Sequence, residues 1–215
     1  MARRTRRRIY KATREDEYRL LLDNAPNEIY RDLIVIMRWG GLRVSEAVGL
    51  RWESVDLSAL QMTVIGKGAV ERIIDVLPEA ERMLRRRAKN VDTGQVFPRG
   101  NGQPYTTRSV QRVLKALREE LGIPPERGTP HKLRHRYATD SLEHGVPLHI
   151  LRDQLGHADI ATTSIYTHSA AGAGAALLRA GKRRRWRQNR RFGRPAAVEW
   201  GKLKGVPRDT ARNGG

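Results

Sequence analysis

Residues 154–168 have the sequence Gln-Leu-Gly-His-Ala-Asp-Ile-Ala-Thr-Thr-Ser-Ile-Tyr-Thr-His. Leu155-Gly156 predicts the end of a helix, because glycine readily adopts the backbone conformation that closes one. His157 then falls in a loop, and residues 162–166 predict a second, short helix that ends on Tyr166. The stretch therefore brings two side chains that can exchange protons, an imidazole and a phenol, into one short segment.

Two helices are predicted immediately before this stretch. Thr129-Pro130 opens a helix over residues 131 to about 144, because proline fits the first helical position. Gly145 stops that helix. Pro147 starts the next one, which runs to Leu155-Gly156.

The N-terminal part of the chain is also predicted to be helical. Thr13, three residues before Asp16, gives a weak capping box for a first helix. A second helix is predicted from about residue 28 to Trp39, with apolar residues repeating at helical spacing on one side. Gly40-Gly41 ends it and permits a tight turn, after which a third helix begins near Val44-Ser45.

Between these helical regions the pattern changes to that of a β-hairpin. Residues 61–65 and 70–76 are rich in β-branched side chains, and Gly66-Lys67-Gly68-Ala69 supplies the turn between them. Helices follow at Pro78 and over residues 106–121. The predicted fold class is therefore mainly α with a small antiparallel β-sheet (α+β).

Five segments carry side chains suited to phosphate chemistry. In chain order they are GLRVSE (41–46), GKG (66–68), HKLRH (131–135), LGH (155–157) and IYTH (165–168). Taken singly, each has an ordinary structural explanation. Arg43 could be a solvated helix-start arginine, Lys67 a polar turn residue, and Tyr166 a core or surface tyrosine. His131 could simply sit near a helix N-terminus and His157 in a loop, so only the combination points to a function.

In combination these segments resemble the tyrosine recombinase (phage integrase) family over about residues 13–177. The family's active site is an arginine in G-L-R-x-x-E, a lysine in a hairpin turn, an H-x-x-R pair, a histidine or tryptophan in an L-G-H segment, and a tyrosine shortly after. The matching positions here, in order, are Arg43, Lys67, His131, Arg134, His157 and Tyr166, with Glu46 also in place. The resemblance implies the catalytic-domain fold of DNA breaking-rejoining enzymes. It also implies a 3′-phosphotyrosyl intermediate formed without metal, ATP or any other cofactor.

The residue types suit this chemistry. A phosphodiester under attack gains charge on its non-bridging oxygens, and two guanidiniums can hold those oxygens bidentately, so Arg43 and Arg134 are the candidate clamp. A tyrosine hydroxyl has a pKa near 10, so the nucleophile Tyr166 needs a proton acceptor, for which His131 is the candidate.

Three further residues complete the expected site. Lys67, at the tip of the hairpin, is the candidate general acid for the departing 5′ oxygen. His157 is expected to donate a hydrogen bond to a phosphate oxygen. Glu46 is expected to orient a neighbouring side chain through its carboxylate.

Two other kinds of site were weighed. His131 and His135 have the spacing of a zinc-binding pair, but Lys132 and Arg134 lie between them and no catalytic glutamate does, so no metal site is predicted. Gly66-Lys67-Gly68 lacks the upstream glycine and the following Ser or Thr of a phosphate-binding P-loop.

The positive charge is concentrated at the two ends of the chain, whose net charge is +19. Residues 1–14 hold seven Lys/Arg and no acid, and residues 178–215 hold thirteen Lys/Arg and two acids, so eighteen of the nineteen net charges lie there. Basic ends on a nearly neutral body favour double-stranded DNA as the partner over an anionic membrane. The candidate DNA-backbone contacts are Arg3, Arg4, Arg6, Arg7, Arg8, Lys182, Arg183, Arg184 and Arg185.

These observations divide the chain into a basic N-terminal arm (1–14), a catalytic domain (15–177) and a basic C-terminal tail (178–215). Typical members of the resembling family carry a helical DNA-gripping domain before the catalytic domain, so the chain is either a natural minimal enzyme or a catalytic fragment. The presence of Met1 and the arginine-rich start favour the natural minimal enzyme. The resemblance also implies a helix beyond the tyrosine that docks into a neighbouring protomer, for which residues 170–180 are the candidate. The absence of cysteine excludes disulfides, and no apolar run is long enough to cross a membrane.

The expected function is that of a site-specific DNA recombinase or integrase of a mobile or viral element. It would act as a homotetramer on two DNA duplexes and would be a monomer without DNA. Its expected location is the cytoplasm, associated with the nucleoid, or a host cytoplasm if a virus encodes it. Two alternatives remain open at this point. The first is a type IB topoisomerase-like nicking and closing activity, and the second is a non-catalytic DNA-binding regulator on the same fold.

Overall fold

The structure, a computed structural model, describes residues 13–66, 71–89, 93–100, 102–143 and 146–156. The described helices are α1 (Glu15–Asp23), α2 (Glu28–Trp39), α3 (Val44–Gly49), α4 (Pro78–Ala88), α5 (Thr107–Glu120), α6 (Pro130–Glu143) and α7 (Leu148–Leu155), with a 3₁₀ turn at Trp52–Ser54. The strands are β1 (Val55–Asp56), β2 (Gln61–Ile65) and β3 (Glu71–Asp75). This arrangement confirms the predicted fold class. The helices predicted at 162–166 and 170–180 lie outside the described residues.

Helix α2 lies at the centre of the fold. Its N-cap Asn27 accepts a hydrogen bond from the backbone N of Tyr30 over 3.0 Å, which fixes its start where the sequence predicted it. The helix packs against α1, α3, α4 and α6. Because neighbours surround it, two thirds of its twelve residues are buried, including Leu33 and Met37 of the predicted apolar side.

A buried arginine connects three helices of this core. Arg38 on α2 is 1% exposed and pairs with Asp140 on α6. Its guanidinium lies 3.9 Å from the ring centroid of Trp39, whose Nε1 donates to the hydroxyl of Tyr18 on α1 over 2.9 Å. The pattern of apolar residues did not predict this buried charge.

The start of α1 differs from the prediction. The backbone N of Arg14 donates to the carboxylate of Glu17 over 2.8 Å, whereas the predicted cap paired Thr13 with Asp16. The hydroxyl of Thr13 instead accepts from the backbone N of Gly128 over 3.1 Å. The predicted cap was wrong because a distant loop uses the hydroxyl that the local pattern assigned to the helix.

The three strands form one antiparallel sheet in the order β1-β2-β3. The predicted hairpin is confirmed for β2 and β3, which pair in register from Gln61↔Asp75 to Ile65↔Glu71. The short β1 was not predicted. Along β3 the side chains alternate, so that Arg72 and Ile74 face the core while Ile73 faces solvent. Strand β3 also packs against α7, the helix that precedes His157 in sequence.

Helix α6 begins, and helix α7 ends, as the sequence predicted, whereas the predicted stop of α6 at Gly145 lies outside the described residues. The hydroxyl of Thr129 accepts from the backbone N of Lys132 over 3.3 Å, and Pro130 is the first residue of α6. Helix α7 ends at Gly156, whose φ of +58° is the left-handed conformation expected of a glycine cap. None of the described helices is both long enough and apolar enough to cross a membrane.

Candidate active site

Four of the predicted site residues lie in the described part of the chain. Arg43 and Glu46 lie at the start of α3, and His131 and Arg134 lie in the first turns of α6. The other predicted residues lie outside it. They are Lys67, His157 and Tyr166, together with Arg3, Arg4, Arg6, Arg7, Arg8, Lys182, Arg183, Arg184 and Arg185.

Arg43 is fixed by Glu46 at two points. The backbone N of Arg43 donates to Oε2 of Glu46 over 2.7 Å, which is the capping bond of α3. The guanidinium Nη1 donates to Oε1 of the same carboxylate over 2.9 Å. The Arg43 side chain remains 37% exposed. Glu46 therefore orients Arg43 while leaving part of its guanidinium open to a ligand.

Arg134 approaches the same carboxylate from α6. Its Nη1 lies 3.5 Å from Oε2 of Glu46 and donates to the carbonyl oxygen of Gly41 over 2.7 Å. Its Nη2 donates to the carbonyl oxygen of Leu155. The two arginines that the sequence predicted as a clamp thus meet at one glutamate, although they are far apart along the chain.

Gly41 fixes the distance between the α2–α3 turn and α6. Its φ is +62°, and a Cβ built on it would lie 2.7 Å from Cδ1 of Tyr137. Only glycine therefore allows this turn to pack against the ring and to present its carbonyl oxygen to Arg134. Tyr137 is itself held by a hydrogen bond of 2.8 Å from its hydroxyl to Oε1 of Gln154.

A third arginine, Arg72 of β3, was not predicted as a site residue. Its Nη2 donates to Oε2 of Glu46 over 2.7 Å, and its Nε donates to the carbonyl oxygen of Gln154 over 2.8 Å. An arginine among the inward-facing residues of an amphipathic strand was the signal that could have revealed it. That signal points to a buried acidic partner, but not to which one.

The end of α7 is held by all three arginines. The carbonyl oxygens of three consecutive residues, Gln154, Leu155 and Gly156, accept from Arg72, Arg134 and Arg43 respectively. The last carbonyls of a helix have no partner within it and carry the negative end of its dipole. Three guanidiniums therefore cap this end and fix the backbone that leads to His157.

The electrostatics of the cluster favour an anionic ligand. Three guanidiniums surround one carboxylate, which leaves two net positive charges. Burial raises the pKa of Glu46, but hydrogen bonds from Arg72 and Arg43 outweigh this effect and hold the pKa below its ordinary value. Burial, followed by the charge of Arg43, lowers the pKa of Arg134 to about 10, so both Arg134 and Glu46 are charged at neutral pH.

His131 lies on α6 one turn before Arg134. Partial burial, then the positive charges of Lys132 and Arg134, lower its pKa below the ordinary value of 6.5. Its imidazole is therefore neutral at pH 7 and can accept a proton. The pKa of His135 is likewise lowered, by burial first, then by the charge of Lys132 and by that of His131 when it is protonated.

The described residues suit phosphate binding better than cation binding. Within the described ranges, no group of three His, Cys, Asp or Glu side chains could hold a metal ion. The one carboxylate of the cluster, that of Glu46, is already shared among three arginines. A tetrahedral phosphate, by contrast, matches the fork geometry of guanidinium groups.

Comparison with known proteins gives the same picture. The model of the Phage integrase family matches residues 11–172. Tyrosine recombinase XerD of Lacticaseibacillus casei is 39% identical over an alignment of 146 positions, which covers 64% of this chain and 50% of that protein. The chain spans about half the length of the curated relatives it matches.

Solved structures share the fold. The integrase from mycobacterium phage Brujita superposes with a TM-score of 0.65 at 24% identity, covering 80% of this chain and 58% of that one. XerA recombinase superposes with a TM-score of 0.60 at 26% identity, covering 85% and 66%. Because the family model matches well over half of the sequence and includes the whole arginine cluster, the chain belongs to the phage integrase family.

Proposed function

We propose that this chain is a site-specific DNA recombinase that cuts and rejoins strands through a 3′-phosphotyrosyl intermediate, without metal or ATP. The observation that carries the proposal is the meeting of Arg43 and Arg134 at Glu46, with a neutral His131 one turn away on α6. Two buried or half-buried guanidiniums beside a neutral imidazole are what phosphoryl transfer by a phenol requires.

The proposed clamp acts on the phosphate oxygens. As the nucleophile attacks, the phosphorus becomes five-coordinate and its non-bridging oxygens gain charge. Guanidinium donors already fixed in place stabilise that charge without having to reorganise. Arg134 is held through Gly41 and Leu155, and Arg43 through Glu46, so both are pre-organised before DNA arrives.

The proton transfers are assigned to residues on either side of the phosphate. His131 accepts the proton of the Tyr166 hydroxyl as the phenolic oxygen bonds to phosphorus. Lys67 gives a proton to the 5′ oxygen as its bond to phosphorus breaks. The 5′ hydroxyl of a partner strand later attacks the phosphotyrosine in reverse, so the bond energy is kept and no nucleotide cofactor is required.

Two observations support the inclusion of Lys67 and His157. The pair Ile65↔Glu71 closes the β2–β3 ladder, and Lys67 lies between these residues in sequence. His157 directly follows Gly156, whose carbonyl oxygen is bonded to Arg43. Both residues are therefore attached to backbone that the arginine cluster or the sheet holds in place.

The proposed partner is double-stranded DNA, bound by a tetramer on two duplexes, with the protein monomeric before DNA is added. The basic arm (1–14) and the basic tail (178–215) are proposed to bind the backbone, and the site of action is the DNA of the cytoplasm. Sedimentation of the protein with one and with two target sites tests the assembly. A stable tetramer without DNA would contradict this scheme.

Trapping of the covalent adduct tests the proposed reaction. On a nicked suicide duplex the wild-type chain should become attached to the 3′ phosphate, and Tyr166→Phe should not, while both bind the duplex equally. Tyr10→Phe removes the same atom from the arm and should leave the adduct intact. An adduct that persists in Tyr166→Phe would remove Tyr166 from its role. Recombinant product on paired sites, rather than relaxed plasmid alone, would separate strand exchange from a topoisomerase-like activity.

A further inference from the structure

Arg72 occupies an unusual place for a buried charge. Its side chain is 7% exposed on a strand that also buries the apolar Ile74 and the carboxylate of Asp75. Its Nη1 is buried and has no hydrogen-bond partner among the described residues. An apolar side chain would avoid both the desolvation of the charge and the unsatisfied donor. Stability alone is therefore a poor explanation for an arginine at this position.

The contacts of Arg72 link two parts of the site. Through Nη2 it holds Oε2 of Glu46, the same carboxylate that orients the guanidinium of Arg43. Through Nε it holds the carbonyl oxygen of Gln154. Its Cδ and Nε also pack against Gly156, where an added Cβ would lie 3.0 and 3.3 Å from them. The sheet, α3 and the end of α7 thus meet at one guanidinium.

The charge of Arg72 also affects how strongly the carboxylate of Glu46 interacts with Arg43. The carboxylate accepts from Arg72 and Arg43 at hydrogen-bond distance and lies 3.5 Å from Arg134. Without Arg72, Oε2 would lose a strong charged donor and keep the backbone N of Arg43 and the nearby Arg134. The carboxylate would shift toward these two arginines, which would lower the positive field available to a phosphate and disturb the orientation of Arg43.

We propose that Arg72 is a positioning residue for the phosphate clamp. It acts on Arg43 by two routes, through Glu46 and through the end of α7, where Arg72 holds the carbonyl oxygen of Gln154 and Arg43 that of Gly156. This inference rests on the function proposed above. It predicts that replacing Arg72 slows the cleavage step while DNA affinity changes little, because Arg72 is buried and does not reach the substrate itself. We expect the rate to fall by about 10- to 100-fold, the range found when a residue that orients a metal ligand is replaced.

A double-mutant cycle on single-turnover cleavage tests this route. Arg72→Gln and Arg43→Ala should each slow adduct formation on the suicide duplex, and the double variant should be no slower than Arg43→Ala alone. Residues that act through one another give non-additive effects, whereas independent ones add. Additive losses would overturn the proposal.

A neutral phosphate provides a readout that a merely structural role would not move. In a methylphosphonate duplex one non-bridging oxygen is replaced by methyl, so less charge has to be stabilised. The rate loss caused by Arg72→Gln should then shrink in parallel with that of Arg43→Ala. Asp75→Asn is the matched control, because Asp75 is a buried residue of the same strand whose Oδ2 accepts a hydrogen bond of 2.8 Å from Nε2 of Gln154. The rate loss caused by Asp75→Asn should be the same on the ordinary duplex and on the methylphosphonate duplex.

The outcomes separate the two proposals. If the wild-type chain forms no adduct, the proposed function and this inference both fall. If the wild-type chain forms adduct and Arg72→Gln slows both substrates equally, only the role of Arg72 falls. Should Arg72→Gln fail to fold, the same cycle is run with Arg72→Lys. Lysine keeps the charge but cannot hold Glu46 and Gln154 together, so the same non-additivity is expected.

Discussion

Nη2 of Arg43 donates a hydrogen bond of 3.0 Å to the carbonyl oxygen of Gly156, a residue 113 positions further along the chain. The same guanidinium holds Glu46 through Nη1. One planar group therefore fixes the start of α3 and the end of α7, and we propose that its exposed part binds the phosphate. The geometry depends on the fork of the guanidinium and not on its charge alone.

Arg43→Lys should therefore be far from conservative. Lysine supplies a compact point charge and cannot bind Glu46, Gly156 and a phosphate oxygen together. We expect single-turnover cleavage to slow by about 100-fold or more, the loss typical of removing a fixed donor to a charged transition state. Arg51→Lys alters an exposed arginine paired with Glu53 and should change the rate little. Equal rates for Arg43→Lys and the wild type would contradict the clamp.

Glu46→Gln should destabilise the fold. The carboxylate is 5% exposed and compensates three guanidiniums, and leaving such charges unpaired costs about 3–5 kcal/mol of the free energy of unfolding. Glu119→Gln, in an exposed pair with Lys115, should cost at most about 0.5 kcal/mol. Urea denaturation at pH 7 measures both values. The two variants should not unfold at the same urea concentration.

The contribution of Glu46 also has a defined pH window. Its pKa is lower in the folded chain than the ordinary value of 4.5, so the folded state binds its proton less readily than the unfolded state. Its stabilising effect is complete above pH 4.5 and is lost as the pH falls through the lower folded value. The stability difference between wild type and Glu46→Gln should shrink over that range. A constant difference down to pH 3 would contradict the ion-pair account.

The pH dependence of cleavage should report His131. A general base must be unprotonated, so the rate falls as the pH drops through the pKa of His131, which burial and the charges of Lys132 and Arg134 hold below 6.5. The acid limb of the single-turnover profile should therefore have a midpoint below 6.5. Lys132→Gln removes one positive charge and should move that midpoint upward. A downward shift would show that another group controls the limb.

Gly41→Ala and Gly49→Ala form a matched pair of backbone tests. A Cβ at Gly41 would lie 2.7 Å from Cδ1 of Tyr137 at a φ of +62°, whereas a Cβ at Gly49 meets nothing within 4 Å. We expect Gly41→Ala to lose about 1–3 kcal/mol of stability from strain alone. Gly49, the last residue of α3, should tolerate alanine or gain up to about 1 kcal/mol. Thermal unfolding measures both, and equal melting temperatures would contradict the proposed close packing.

Deletion of residues 182–215 tests the basic tail. The slope of log K against log salt is about −0.9 for each phosphate neutralised on duplex DNA. Removing twelve Lys/Arg and two acids should flatten that slope by several units. Deletion of residues 209–215, which removes one aspartate and one arginine, should leave it unchanged. An unchanged slope in the longer deletion would mean that the tail does not touch DNA.

Local sequence patterns predicted the elements whose bounds are set by neighbouring residues. The bounds of α2, the β2–β3 hairpin and the Thr129-Pro130 start of α6 follow from caps, turns and periodicity within a few residues. The meeting of Arg43 and Arg134 was expected from the family resemblance. The spacing of residues in the sequence does not predict this contact, because the contact depends on how α3 and α6 pack.

Other features depend on partners that no local pattern identifies. Arg72 can be buried because it pairs with Glu46, which lies 26 positions away in sequence. Arg38 can be buried because it pairs with Asp140, which lies 102 positions away. Strand β1 has two residues and forms because β2 is beside it. The cap predicted with Thr13 failed for the same reason, since Gly128 takes its hydroxyl.

The three guanidiniums that hold consecutive carbonyl oxygens of α7 also have a consequence for synthesis of the protein. Arg43, Arg72 and Arg134 are all translated before residues 154–156, and they cannot adopt the arrangement described above until α7 has been made and has packed. A ribosome-bound chain that stops short of Gly156 would carry every arginine of the cluster without the cluster itself. An unfinished copy would thus lack the arrangement of side chains to which the proposed cleavage is assigned.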